Sequence, residues 1–111
     1  GSALESAVKA LARIAHRNDP RAVRALSASL SRIDDLPSYE YDDFFAAFAK
    51  VAGKGNRLAV TAVVRLLNPK NSNLRGEKLW DLQGAALRAL DKIVEKNDPH
   101  AISGMCALLK E

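Results

Sequence analysis

The chain has 111 residues, 48% of them hydrophobic but only 5% aromatic, and a formal net charge of +4. This length suits one small domain, and the balance of apolar and charged residues excludes an extensively disordered chain. No run approaches the ~18 apolar residues of a membrane-spanning helix, and the single cysteine, Cys106, excludes an internal disulfide. We therefore expect a cytoplasmic, reducing environment and no membrane partner. We interpret Gly1-Ser2 as a tag remnant and residues 3–111 as a single domain.

Residues 3–32 (unit 1) predict a pair of helices. Apolar residues at helical spacing indicate a first helix over residues 3–17. Asp19 is then a favourable N-cap, and Pro20 suits the first helical position, where a missing N–H is not needed. A second helix follows to about Arg32. The inward stripes of the two helices consist of Leu4, Ala7, Val8, Leu11, Ile14 and Ala15, then Ala22, Val23, Leu26 and Leu30.

The first junction, residues 34–45, holds four of the five Phe and Tyr residues of the chain. Phe44 and Phe45 fall at core or near-core positions of the following helix. Tyr39 and Tyr41 have two interpretations: they fill the structure, or they contact a partner as exposed loop residues. We keep both as candidate contacts.

A diverged copy of unit 1 follows. Shifting residues 7–30 by 37 positions lays them over residues 44–67 with seven identities, and Gly55-Asn56 replaces Asn18-Asp19 at the turn. The shift predicts a helix–turn–helix over residues 38–68 (unit 2). The polar stretch Asn68–Gly76, with a proline and a glycine, then predicts a surface loop.

A closer copy completes the chain. Shifting residues 7–30 by 79 positions gives ten identities with residues 86–109 and repeats the turn as Asn97-Asp98-Pro99. We assign residues 77–110 to unit 3. Trp80 follows the inserted loop and is expected just before the first helix of this unit. It either seals an inter-unit edge or binds a ligand, and we favour the seal. Repeats of this length predict an all-α fold, an α-solenoid of three helix–turn–helix units with about six helices.

Two sets of polar positions recur from unit to unit. The first, which we call the second-helix row, points away from the core on the second helices and predicts a shallow concave groove for an acidic or extended peptide. Helix faces with such small side chains are more often idle, and we favour that interpretation for the row taken by itself. The row consists of Arg24, Thr61, Arg65, Asn68, Ser103 and Lys110.

The second set, which we call the basic grid, lies opposite the apolar stripe of the first helices. It could bind the phosphates of a nucleic acid or an acidic lipid in a salt-sensitive way. We favour a solvated convex face instead, because three of its members end helices and acidic residues are interleaved with it. The grid consists of Lys9, Arg13, Arg17, Lys50, Lys54, Arg88, Lys92 and Lys96.

Patterns that indicate catalysis are missing. His16 and His100 lack the paired ligands of a zinc site, and the short Gly53-Lys54-Gly55 run does not match a phosphate-binding loop. Cys106 is interpreted as a small packing residue. We therefore predict no enzymatic activity, no catalytic residue, no cofactor and no metal site.

The chain resembles HEAT repeats over nearly its whole length, specifically the short kind related to phycocyanobilin-lyase-like repeats. The resemblance rests on Leu82, Ala85-Ala86, Ala89-Leu90, Lys92-Ile93, Asn97-Asp98-Pro99 and Ala101-Ile102. It implies an armadillo-like helical-repeat scaffold for protein–protein interaction. Related repeats also include bilin lyases and a DNA glycosylase, so the resemblance alone leaves an enzymatic alternative open.

We therefore predict a non-catalytic scaffold that binds another protein or an acidic peptide through the second-helix row and the loops between units. Binding of nucleic acid through the basic grid is the alternative. Met105, Leu108 and Leu109 are apolar and lie close to the C-terminal end of the sequence. They have three interpretations: the chain belongs to a longer solenoid, an open end packs on something else such as a second copy, or the end helix tolerates the exposure.

Overall fold

A computed structural model describes residues 3–110, and within this range the chain is all-α, as predicted. Gly1-Ser2, interpreted as a tag remnant, lie outside the described residues. Short 3₁₀ turns at residues 30–35, 38–40 and 69–71 connect some of the helices. No described helix is long and apolar enough to cross a membrane. The six α-helices are α1 (Ala3–Ile14), α2 (Pro20–Ser29), α3 (Tyr41–Ala52), α4 (Arg57–Leu67), α5 (Gly76–Ile93) and α6 (Pro99–Leu109).

The second helix of each unit begins at a side-chain cap. The Asp19 carboxylate accepts backbone N–H groups at the start of α2, and Asp98 does the same for α6. Asn56 accepts the N–H of Ala59 at the start of α4. These bonds satisfy donors that have no partner within their helix. The residue before each cap has a positive φ, with Asn18 and Asn97 at 67° and Gly55 at 83°.

The helices form two layers. In one layer α3 packs between α1 and α5, and in the other α4 packs between α2 and α6. The Cα trace measures 39 × 31 × 17 Å along its principal axes, and the short dimension corresponds to two layers of packed helices. Each helix pair therefore contacts the next pair along the chain.

The core is centred on α3. Phe44, Phe45 and Phe48 are fully buried, as expected for the first two, and their rings meet edge to face at centroid distances of 5.5 and 6.4 Å. Five further residues of this helix are buried, whereas Val8 is the only buried residue of α1. Apolar burial, the main stabilising contribution to folding, is therefore greatest in the middle unit.

Backbone hydrogen bonds join each unit to the next. The N–H of Asn18 donates to the carbonyl of Val51 at 2.6 Å, and the N–H of Gly55 donates to the carbonyl of Ile93 at the same distance. Asn18 and Gly55 occupy equivalent turn positions, and Val51 and Ile93 equivalent ends of first helices. The same bond thus sets the register of both junctions.

The two irregular segments between units are tied together. The Asp34 carboxylate accepts the Ser72 hydroxyl and the Asn73 N–H, both at 3.1 Å. Ser72 is buried and Leu74 half-buried, so part of the predicted surface loop Asn68–Gly76 packs onto the protein. The second helix of unit 1 also ends at Ser29, before the predicted Arg32, and continues as a 3₁₀ turn.

Candidate functional site

Two exposed aromatic side chains line one groove at the edge of α3 and α5. Tyr39 is 81% exposed and Trp80 72% exposed. The groove has a volume of ≈ 370 Å³, and we call it the aromatic groove. Its lining consists of Ser38, Tyr39, Tyr41, Asp42, Trp80, Asp81, Gly84 and Arg88.

Helical spacing accounts for one wall of the aromatic groove. Trp80, Gly84 and Arg88 follow each other at intervals of four on α5, so they lie on one face of the helix. Gly84 has no side chain, and the Arg88 guanidinium lies 3.4 Å from where a Cβ at Gly84 would be. The glycine therefore leaves the space between Trp80 and Arg88 open. Tyr39 reaches the groove from the 3₁₀ turn at residues 38–40 that precedes α3.

An ion pair joins the two helices of the aromatic groove. Arg88 donates from Nη2 and Nε to the Asp42 carboxylate at 2.6 and 3.1 Å. Both side chains are largely exposed, so the pair adds little to stability. It does orient the guanidinium toward α3. Because Asp81 also lines the groove, the lining carries two carboxylates and one guanidinium, an excess of negative charge.

Tyr41 lies beneath the aromatic groove, so it fills the structure, and the alternative interpretation as a loop contact is wrong. The side chain is 1% exposed, and its hydroxyl has no hydrogen-bond partner among the described residues. Burial raises the pKa of Tyr41 to about 12, and the charges of Asp34 and Asp81 add to the effect. The physical reason is its place on the apolar stripe of α3, equivalent to Leu4 in unit 1.

Trp80 does not seal an edge between units, so the interpretation that we favoured for this residue is wrong. The helix α5 begins at Gly76, which places Trp80 in its second turn instead of before the helix. The apolar stripe of this helix uses other positions, among them Leu82, Ala86 and Ile93, all buried. Trp80 falls outside that stripe and its ring is left at the surface.

The members of the second-helix row differ in exposure and do not share one groove. Thr61 is half-buried, while Arg24, Arg65, Asn68, Ser103 and Lys110 are exposed. Arg65 and Asn68 line a groove of ≈ 240 Å³ between α4 and α6, and the other four members do not line it. The Asn68 side chain accepts the Lys70 N–H at 3.0 Å, so it already serves as a cap for the 3₁₀ turn at residues 69–71.

All eight members of the basic grid are exposed, but carboxylates engage two of them. Lys9 lies 2.9 Å from Glu5 and 3.8 Å from Asp43, and Arg88 pairs with Asp42. Hydrogen bonds from Glu40 and Lys9 lower the pKa of Glu5, and the Glu5 partner raises the pKa of Lys9. The acidic residues of α1 and α3 therefore reduce the positive field of the grid.

Cys106 is exposed, contrary to its interpretation as a packing residue, because no described segment covers the outer side of α6. Within residues 3–110 no three His, Cys, Asp or Glu side chains are grouped so that they could hold a metal ion.

Sequence reasoning identified Tyr39, Trp80 and Arg88 separately and missed that they share a groove. It also missed Asp42, Asp81 and Gly84 as members of its lining. The spacing of Trp80, Gly84 and Arg88 was available in the sequence and predicts one helical face. Nothing local to the sequence indicates that this face meets Tyr39 from a turn about 40 residues earlier.

A scan against protein-family models, a search of curated proteins and a search of solved structures each find no match to the chain.

Proposed function

We propose that this protein is a non-catalytic binding module that takes another protein in the aromatic groove. The observation that carries the proposal is the exposure of Tyr39 and Trp80 on the same groove. Tryptophan, tyrosine and arginine are the residues most enriched among those that dominate binding energy at protein interfaces. A large exposed ring is also unfavourable in water unless a partner covers it. The groove combines all three residue types, with Trp80 and Arg88 on α5 and Tyr39 on the 3₁₀ turn before α3.

The lining favours a partner segment that presents a cationic side chain. Asp42 and Asp81 outnumber Arg88 in charge, and Asp42 already pairs with Arg88. A lysine or arginine of the partner could pair with Asp81 while it stacks on the Trp80 ring, the aromatic face most favourable for cations. The volume of ≈ 370 Å³ suits one or two side chains of an extended segment.

We further propose that the three helix pairs form a HEAT-like α-solenoid. The support is the two-layer order, in which each pair contacts the next, and the repeated backbone bond at both junctions. On this proposal the second-helix row is a secondary surface, with Arg65 and Asn68 as the members that share a groove.

The test replaces the two rings and follows one partner. The variant Y39A/W80A should lose capture of a specific protein from native lysate, whereas L58A, which trims an exposed leucine elsewhere, should retain it. Trp80 is the only tryptophan, so titration with the captured protein should shift its fluorescence to the blue as the ring leaves water. Retention of the same protein by Y39A/W80A, with no spectral shift, would refute the proposal.

The second-helix row needs a separate variant. Charge reversal of Arg24, Arg65 and Lys110 to glutamate should leave capture unchanged if the aromatic groove is the binding surface. If this triple variant loses the partner while Y39A/W80A keeps it, the row is the binding surface and the groove is idle.

The basic grid supports a second candidate, binding to nucleic acid. Six of its eight cations have no carboxylate within 4.0 Å among the described residues. Affinity for duplex DNA should then fall steeply with salt and disappear when Arg13, Lys50 and Lys92 are changed to glutamate. Equal weak binding by wild type and this variant would leave the grid as a solvated face.

A further inference from the structure

The outer face of unit 3, which we call the trailing face, exposes positions that are buried in the other units. Ile102 is 49% exposed, although its equivalents Val23 and Val60 are buried. Leu109 is 85% exposed, although Leu30 and Leu67 are buried. In units 1 and 2 the following unit covers these positions, so the trailing face has the composition of an interface without its partner.

The outer face of unit 1, which we call the leading face, shows the complementary pattern. Ile14 is 76% exposed, while its equivalents Val51 and Ile93 are fully buried against the preceding unit. The molecule therefore carries both halves of the contact that joins its own units, one half at each end.

The backbone hydrogen bonds follow the same pattern. The turn residue of one unit donates to the carbonyl of Val51 or Ile93 in the next. Asn97 is the equivalent turn residue of unit 3, and its N–H has no partner among residues 3–110. Ile14 is the equivalent acceptor of unit 1, and within the same range its carbonyl accepts no hydrogen bond. Within residues 3–110 this junction bond thus leaves one donor unpaired, the Asn97 N–H in unit 3, and one acceptor unpaired, the Ile14 carbonyl in unit 1.

The two faces also differ in charge. The groove on the trailing face holds Asp91, Glu95 and Asp98 against a single lysine, Lys96. The groove on the leading face holds one cation, Arg21, and one carboxylate, Asp19, which lie 3.6 Å apart, so it adds no excess of negative charge against the trailing face. Their volumes, ≈ 380 and ≈ 400 Å³, are similar.

We infer that copies of this chain associate head to tail, with the leading face of one molecule on the trailing face of the next. The contact would repeat the junction between units and pair the Asn97 N–H with the Ile14 carbonyl of the second copy. Because the two faces differ, each added molecule leaves one of each free, so association continues beyond a dimer. This inference does not depend on the aromatic groove.

Variants that block one face each distinguish this arrangement from a two-fold dimer. I14R disables the leading face and I102R the trailing face, and both replace exposed side chains, so circular dichroism should show the wild-type fold. Wild type should grow in mass with concentration in light scattering, whereas each variant alone should stay monomeric. An equimolar mixture retains one intact pair of faces and should double the monomer mass.

A disulfide tests the register. Across the junction of units 2 and 3, a Cβ built at Gly104 lies 3.5 Å from the Val64 Cβ, a separation that a disulfide can span. The equivalent pair between two copies is Ala25 and Cys106. A25C should therefore give a ladder of oxidised multimers. The matched control A28C, on the same helix, should give none.

Three results would overturn the inference. Wild type could remain monomeric at the highest soluble concentration. Either arginine variant could dimerise by itself, which would indicate a two-fold contact. The mixture of I14R and I102R could show no gain in mass although both variants are folded.

Discussion

At the scale of single residues, Tyr41 stands out as a buried phenol whose hydroxyl has no partner within the described chain. Burying a hydroxyl without a hydrogen bond costs roughly 1–3 kcal/mol. Y41F removes the hydroxyl and keeps the ring, so we expect it to leave the free energy of unfolding at pH 7 unchanged or to raise it by ~1 kcal/mol. Y39F, which changes an exposed tyrosine, should have no effect. Urea denaturation of the two variants checks both expectations.

The raised pKa of Tyr41 adds a dependence on pH. A tyrosine in an unfolded chain has a pKa of 10.0, whereas the pKa of Tyr41 in the folded protein is about 12. The stability contributed by the protonated, buried phenol is therefore complete below pH 10 and is lost as the pH rises toward 12, by roughly 2–3 kcal/mol. Y41F should escape this loss, while Y39F should follow wild type. If the free energies of unfolding of Y41F and wild type fell by the same amount between pH 10 and 12, the loss of stability would not come from Tyr41.

Asp19 provides a second prediction at this scale. Backbone N–H groups of Ala22 and Arg21 lower the pKa of its carboxyl, so its contribution is present above the ordinary pKa of 3.8 and is lost as the pH falls below it. D19A should lower the melting temperature at pH 7 by a few degrees. D19N should lower it less, because Asn56 caps unit 2 at the equivalent position.

Thermal denaturation at pH 7 and pH 3 separates the cap from its charge. D19N should lose less stability than wild type on acidification, because an amide does not titrate in this range. If D19N and D19A were equally destabilised at pH 7, the cap would not depend on the side-chain oxygen.

At the scale of helices, Gly104 allows α6 to approach α4 closely. A Cβ at this position would lie 2.4 Å from the Val64 Cγ1, a contact that requires a shift. Val64 is β-branched and stiff at χ1, so it cannot turn away easily. We expect G104A to lower the free energy of unfolding by ~1–2 kcal/mol, even though alanine favours a helix.

The matched control is G84A on α5. The nearest atom to a Cβ there is Arg88 Nη1 at 3.4 Å, at the end of a flexible side chain. The gain in helix propensity should then prevail, and stability should rise by up to ~1 kcal/mol. The double variant G104A/V64A should regain part of the stability lost in G104A, because it lacks the Val64 methyl group that the new Cβ would meet. A stabilised G104A in chemical denaturation would show that the two helices can separate at low cost.

The helices and their caps could be predicted from the sequence because each depends on residues within one or two turns. Asp19 and Asp98 indicate helix starts directly, and Phe44 and Phe45 fall on a stripe that predicts burial. Tyr41 could also have been placed, since the shift of 37 aligns it with Leu4. The exposure of Trp80 could not, because it depends on which face of α5 meets α3. That choice is made by packing between units, which no local pattern contains.

At the scale of the whole molecule, stability should decrease from the centre toward both ends. Eight residues of α3 are buried, but among the described side chains only Val8 of α1 and Ala101 of α6 are. We expect amide hydrogen exchange to be slowest in α3 and fastest in α1 and α6, because local opening follows the number of buried apolar contacts. The measurement belongs at a concentration where the chain is monomeric. Equal protection of α6 and α3 would contradict this gradient.

The bonds between units also bear on how fast such a chain can fold. Asn56 with Asn18, and Ser72 with Asp34, are each 38 residues apart, and Arg88 and Asp42 are 46 apart. Among residues 3–110, every substantial contact between helices lies within a unit or joins neighbouring units, so no step must close a loop much longer than one unit. Loop-closure entropy grows with the length of the closed segment, not of the chain. A longer array with the same junctions would therefore meet the same entropic barrier at each addition, and its folding would not slow as it grew.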